Sequence, residues 1–397
     1  MTRFEAITPI YIGTGEMVEP ICYQVRNHMA RRYSLADVVS GIPAERLCNP
    51  QLLNRLTRSN SKMDYYKIFK TDRIHGEPLY ELKWNIDMDV HQEEIHNNSG
   101  GSQVIFEQIK SLGKPIVPGS SLKGAIECAF KYTLLKDNLN RVRRNLDSYL
   151  DNVRKSTAEH FYLNLIYGLS EQEIRSQKYS DFLHELYSIL EVPDLIFDDL
   201  EVLYVDRFNI DPSKASVPLG AAECIPVGAV GDASELFSIN LDKLRILKAK
   251  YQDAVSTQLI DSFCNKENLI RSIQIYMSDM SRSDSAKEYE DLYEDEGAVG
   301  DCAMQIQKVR TEIRKASENK DMVVIRIGKY TSYFYKTVSW LFKTEFASDF
   351  KYDFYKVFSP APAGKKNSPK PDTMPRSVPL LTDDDSTWPA GYLKVYL

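Results

Sequence analysis

Paired cysteine motifs are missing from this chain. Its six cysteines, at positions 22, 48, 128, 224, 264 and 302, are scattered and form no Cys-x-x-Cys. That argues against a zinc ribbon and against a disulfide framework, and makes a reducing cytoplasm the expected setting. Long apolar runs are missing too, so neither a membrane span nor a secretory signal is expected. An excess of positive charge is also absent: 50 Lys and Arg face 56 Asp and Glu, a net charge of −6. This argues against a surface that binds nucleic acid everywhere, and leaves room for a local basic groove on an acidic body. No Ser-His-Asp, Walker or dinucleotide pattern stands out, and Gly13-Thr14-Gly15 lacks a third glycine and a following helix. The run His91-Gln92-Glu93-Glu94-Ile95-His96 has metal-binding residue types without metal-site spacing, and it abuts an Asn/Gly/Ser loop at 97–102. It reads as an exposed polar loop, and no metal or other cofactor is expected.

At 397 residues, with 43% hydrophobic side chains, the chain suits two domains with ordinary cores. Loose alternation over residues 3–11 predicts an opening strand, closed by a turn at Gly13–Gly15, with a partner strand over 20–25. Helical periodicity marks a helix over 121–135 and a helical insertion over about 139–190 (Phe161, Leu165 and Leu169; Phe182, Leu186 and Leu190). Strands are expected at 200–208, 323–327, 351–358 and 392–396, and a hairpin pair at 223–230 and 236–241. Helices are expected at 241–280, 302–316 and 336–346. Residues 279–301 are strongly acidic, while 141–144 and 308–315 are basic; each such run also fits a solvated face. Residues 359–379, rich in Pro, Lys and Ser, read as a loop. Blocks of strands and helices point to an α+β fold, divided into 1–194 and 195–397, the second part carrying a helical and acidic-loop insertion.

The densest motif is Pro118-Gly119-Ser120-Ser121-Leu122-Lys123-Gly124-Ala125. It reads as a tight turn opening a helix, with small residues, hydroxyls and a lysine where unpaired backbone N–H groups emerge. Such a start suits a phosphate. It equally suits a plain cap, with Ser121 at the N-cap.

That octapeptide resembles the helix-opening signature of the RAMP superfamily of CRISPR proteins. The stretch from Thr8 to Glu16 is similar to the superfamily's opening strand and glycine turn, and Arg326-Ile327-Gly328-Lys329-Tyr330 resembles its glycine loop. The tail around Trp388-Pro389-Ala390-Gly391-Tyr392 is similar to that of crRNA 3′-end subunits of type III-A (Csm) effector complexes. Glu127, where a basic residue often follows the signature, and a loop with only one glycine after Arg326 depart from the pattern.

The resemblance implies two ferredoxin-like (RRM-like) RAMP domains with helical insertions, and a non-catalytic subunit that caps the crRNA 3′ end and supports its maturation. It also implies partners: crRNA, the repeated backbone RAMP subunit, the small helical subunit and host maturation nucleases, with no membrane. The implied RNA-binding residues are Gly13, Thr14, Gly15, Lys114, Ser120, Ser121, Lys123, Gly124, Arg326, Gly328, Lys329 and Tyr330. Lys123 would be the central phosphate contact and Tyr330 a stacking face. The alternatives are a metal-independent repeat endoribonuclease using His28 with Tyr23, a RAMP subunit at another position, or a protein scaffold. Asp64, Asp72, Asp87 and Asp89 are further acidic candidates without an assigned role.

Overall fold

The computed structural model describes residues 2–51, 74, 76–86, 104–152, 161–176, 179–209, 217–282, 298–331, 338–345, 377–383 and 385–397. The run 91–96, the loop 97–102, the acidic residues 284–296, the four candidate aspartates and the strand expected at 351–358 lie outside them.

The fold is mixed α+β, as expected. Seven strands form one sheet in the order Met322–Arg326, Tyr392–Tyr396, Thr2–Ala6, Val230–Ala233, Leu195–Ile196, Lys114–Val117, Lys110–Ser111. Thr2–Ala6 alternates, burying Phe4 and Ala6 while Arg3 is exposed. It pairs antiparallel with Tyr392–Tyr396 on one side and with Val230–Ala233 on the other. Met322–Arg326 is buried at every position, as a strand covered on both faces must be. Strands from both sides of the boundary expected at 194/195 lie in this sheet. Leu195 and Ile196 pair with Val117 and Ile116, and Ile196 also with Asp232, so the two halves share one sheet.

A second sheet of nine strands runs in the order Gly13–Val18, Ile105–Gln108, Val217–Cys224, Glu201–Asn209, Tyr80–Trp84, Met29–Arg32, Tyr23–Arg26. Ser377–Thr382 pairs with Glu201–Asn209, and Thr387–Trp388 pairs with Ser377–Thr382. The two-residue period of the Glu201 strand feeds separate cores on opposite faces. Val202 and Tyr204 pack with Leu82 and Trp84, whereas Leu203 and Val205 pack with Tyr11, Tyr330 and Leu381.

The sequence-based element boundaries need several corrections. The opening strand stops at Ala6. Pro20–Cys22 is a single tight helical turn, because proline fixes φ and cannot donate to a ladder, and Tyr23–Arg26 then pairs with Met29–Arg32 rather than with the opening strand. The expected hairpin at 223–241 is instead split: Val217–Cys224 and Val230–Ala233 belong to different sheets, and Ser238–Ile239 pairs with Leu190–Glu191. The helical stretch 241–280 is three helices, Leu241–Lys250, Ala254–Phe263 and Lys266–Arg282. The side chains of Asn240 and Asp253 cap the first two, accepting from the N–H groups of Lys243 and Ser256. The insertion is four helices, Leu139–Asn152, Phe161–Tyr167, Glu171–Ser176 and Tyr179–Ser188.

The largest core lies between the seven-stranded sheet and these helices. The signature helix, Gly119–Asp137, buries Leu122, Ile126 and Phe130 together with Phe4, Leu195 and Val323. Phe130 meets Phe263 edge-on at 5.1 Å, and Tyr132 meets Tyr276 at 5.0 Å. Ala298–Glu318 is tied to the terminal strand by the Lys394–Glu312 ion pair at 2.6 Å.

Two stability predictions follow from this arrangement. Leu393, fully buried in the shared sheet, makes Leu393→Ala cost about 3 kcal/mol. Urea unfolding of the variant should show one transition shifted as a whole; two transitions with only the later one moved would mean independent halves. Glu201 is buried near Asp383, Asp199 and Lys83, and burial pushes its carboxyl from 4.5 up to about 7. Between those values the folded state keeps a proton that the unfolded chain has lost. Stability from this group therefore falls as pH rises through the window, by about 3 kcal/mol. Glu201→Gln should flatten that slope and raise the melting temperature most at pH 8.

Candidate nucleic-acid interface

The two glycine segments from opposite ends of the chain meet at Tyr11. The Lys329 N–H donates to the Tyr11 carbonyl at 2.9 Å. Gly328 has φ +101°, and a Cβ there would lie 2.6 Å from that same carbonyl oxygen, so no other residue fits the crossing. The Tyr11 and Tyr330 rings stack at 5.2 Å. The Lys329 side chain is exposed, with its ammonium 4.9 Å from the Phe106 ring and 5.7 Å from each tyrosine ring. Beside it, Thr14, Gly15, Glu16 and Met17 form an exposed bulge in the edge strand Gly13–Val18, which pairs with Ile105–Gln108.

A buried polar network holds this corner, and sequence reasoning missed all of it. Gln108 is fully buried. Its Oε1 accepts from the Ile12 N–H at 2.8 Å, and its Nε2 donates to the Ile116 carbonyl at 2.9 Å. One amide thus ties the glycine turn to the strand that leads into the signature helix. The Gln108 N–H donates in turn to Glu223, whose carboxylate is fully buried. Glu223 also accepts from Tyr23 Oη (2.8 Å), Tyr80 Oη (2.7 Å) and Lys110 Nζ (2.5 Å). Lys110 also lies 4.2 Å from the Tyr80 ring. Burial and then the Glu223 carboxylate hold the Tyr23 and Tyr80 phenols well above their ordinary range, so both remain protonated donors.

The remaining expected residues are placed differently. The signature helix begins at Gly119 with Pro118 as N-cap, three residues before the predicted Ser121 cap. Its first N–H is already taken: Gly119 N donates to Asp194 Oδ1 at 2.7 Å. A Cβ on Gly119 would lie 2.0 Å from the Val192 carbonyl, so the turn after the insertion sits directly on the helix start. Ser120 is exposed and Ser121 half-buried. Gly124 is exposed, with open space where a Cβ would be. Lys123 turns to the insertion, donating to the Leu190 carbonyl at 2.9 Å, and so does not face the helix start. Lys114 pairs with Asp198 on the surface at 2.6 Å.

Arg326 is buried, with Nε donating to the Ala390 carbonyl and its guanidinium 4.6 Å from the Tyr392 ring; it is a structural group rather than an exposed contact. Tyr330 is buried too, and its stacking partner is Tyr11. His28 and Tyr23 are not brought together. Asn27 and His28, both at positive φ, form the exposed tip of the Tyr23–Arg32 hairpin, while Tyr23 sits at its far end, opposite Arg32, with its hydroxyl on Glu223. The assembled surface is therefore the Thr14–Met17 bulge with Lys329: accessible backbone next to one cation. It offers a grip on a sugar–phosphate chain without reading bases.

The network gives a direct test. Glu223→Leu leaves the buried Lys110 ammonium with only Glu107, at 3.7 Å, and should cost about 3 kcal/mol. Adding Lys110→Met should recover more than half of the loss in urea denaturation, because both charges then leave together.

Comparison with known proteins agrees with this architecture. Residues 3–191 match the sequence model of the RAMP superfamily. No curated protein sequence matches the chain. Among solved structures, the fold resembles a chain in the cryo-EM structure of a Csm–crRNA–target RNA ternary complex of a type III-A CRISPR–Cas system, with TM-score 0.65 and 18% identity. It also resembles the crystal structure of T. onnurineus Csm5, with TM-score 0.55 and 19% identity. Both alignments cover 100% of each chain. Residues 3–191 of this chain are thus similar to the RAMP superfamily.

Proposed function

We propose that this chain is the crRNA 3′-end subunit of a type III-A effector complex, and that it binds RNA without cutting it. The observation that carries the reading is the full-length likeness to Csm5 in a chain whose first half is a RAMP domain. RNA would lie along the Thr14–Met17 bulge, with Lys329 neutralising a phosphate and the bases left free to pair. The repeated backbone RAMP subunit and the small helical subunit would be its neighbours in the cytoplasm, and maturation nucleases would dock transiently. The absence of cleavage is argued from Tyr23, whose phenol is committed to Glu223, and from the distance between the hairpin's two ends.

The test uses the full chain with labelled crRNA carrying a 3′-hydroxyl, in EDTA, on native and denaturing gels. The RNA should shift and stay whole. Lys329→Ala should lower the salt slope of binding by about 0.7, the loss of one single-strand phosphate, while Lys123→Ala leaves it unchanged. Crosslinks should map to the 3′ end in the assembled complex. A discrete metal-independent cut that disappears in His28→Ala would overturn the non-catalytic reading, and crosslinks at the 5′ end would overturn the position.

A further inference from the structure

Lys123 enters a cavity of about 350 Å³ between the signature helix and Tyr179–Ser188 of the insertion. Lys123, Glu127 and Lys131 line it from one helix at i, i+4 and i+8. His184, Tyr187 and Ser188 line it from the other at i, i+3 and i+4. Those spacings put each trio on a single helix face, so the two stripes oppose each other across the space. The volume is at the small end of ligand-binding pockets, which run from about 300 to 1,000 Å³.

The charges in the cavity are unequal. Among the described residues no carboxylate lies within 4 Å of Lys123 Nζ, whose one hydrogen bond is to the neutral Leu190 carbonyl. Glu127 and Glu191 act on it only from beyond that distance, so the half-buried ammonium is incompletely compensated. Burial lowers its pKa, the expected direction for a cation short of partners. Lys131 lies 4.5 Å from the Tyr187 ring and only 3.9 Å from Glu127, a loose contact. Burial raises the Glu127 pKa, while Lys131, Lys123 and His184 pull it the other way. His184 is exposed at the rim. Lys243 reaches the same edge, donating to the Ser188 carbonyl at 3.2 Å. The nearby acids are engaged elsewhere: Glu185 pairs with Lys250, and Glu191 accepts from Asn240.

We propose that this cavity binds the phosphate of a small phosphate monoester, with Lys123 as its anchor and Lys131 and His184 completing the grip. The ligand is a free mononucleotide or the terminal phosphate of an RNA. The site is separate from the Thr14–Met17 and Lys329 surface, so it stands or falls independently of the crRNA-binding reading.

The test is calorimetry and thermal melting of the full chain with AMP, with inorganic phosphate, and with one oligoribonucleotide bearing either a 3′-phosphate or a 3′-hydroxyl. AMP or the 3′-phosphorylated RNA should bind saturably and raise the melting temperature. Lys123→Met should weaken that binding at least about tenfold, the loss of a charge-assisted hydrogen bond. His184→Glu, at an exposed position that leaves the core untouched, should weaken it similarly. A response to AMP assigns the site to a free nucleotide, and one confined to the 3′-phosphorylated RNA assigns it to an RNA end. No saturable response to any probe, or binding that survives both substitutions, overturns the proposal. The gel shift of 3′-hydroxyl crRNA should be unchanged in both variants, so its loss would be a failure of the other reading.

Discussion

The antiparallel pairing of Thr2–Ala6 with Tyr392–Tyr396 is the constraint on which the rest of the molecule depends. It puts both strands inside the seven-stranded sheet, and it brings Pro9, Gly391, Tyr11 and Gly328 into one corner. There Gly391 N donates to the Pro9 carbonyl and Lys329 N to that of Tyr11. The cation of the candidate interface is thus positioned by residues more than three hundred positions away in the chain. The helical insertion packs into the same core as that sheet and the signature helix, so the two candidate ligand surfaces share a frame without sharing residues.

The Glu223 network plays the complementary part in the second sheet. A buried carboxylate accepting four hydrogen bonds is costly to desolvate, and it is retained only where the geometry is complete. Here it joins the hairpin at Tyr23, the strand at Tyr80, the strand carrying Phe106 and Gln108, and Lys110 at the start of the next strand. Phe106 lies under the Lys329 ammonium, so the rigidity of that strand is passed directly to the exposed cation.

Much of this was legible in the sequence. The signature helix, the buried strand at Met322–Arg326 and the terminal strand announce themselves through local periodicity and apolar runs, which need no knowledge of distant partners. Gly13–Gly15 and Gly328 were also readable as places of unusual backbone. What could not be read was direction. With Ser121 as N-cap, Lys123 would belong to the first turn, at the anion site; with Pro118 as N-cap it falls in the second turn, beyond it. A three-residue shift of the N-cap therefore moved a lysine from one candidate site to another. Tyr11, Gln108, Lys110 and Glu223 carried no local signal. Their roles come from partners hundreds of residues away, and a lone buried glutamate looks like any other in a list of residues. Composition shifts near 194 likewise do not reveal that Leu195–Ile196 is a strand between two others.

The pairing of the outermost strands also sets the order of events during synthesis. Arg3 finds its partner only when Tyr396 has been made. At cellular elongation rates that interval is roughly 20–80 s, during which Phe4 and the free edges of its strand have no native cover on that side. The sheet therefore closes after translation of its last strand rather than along with it, a topology of high contact order that folds slowly and exposes unpaired edges meanwhile. A polypeptide stalled or truncated before residue 392 cannot complete the central ladder. Quality control of this subunit is thus written into its topology, since only a chain translated through its terminal strand can bury its own beginning.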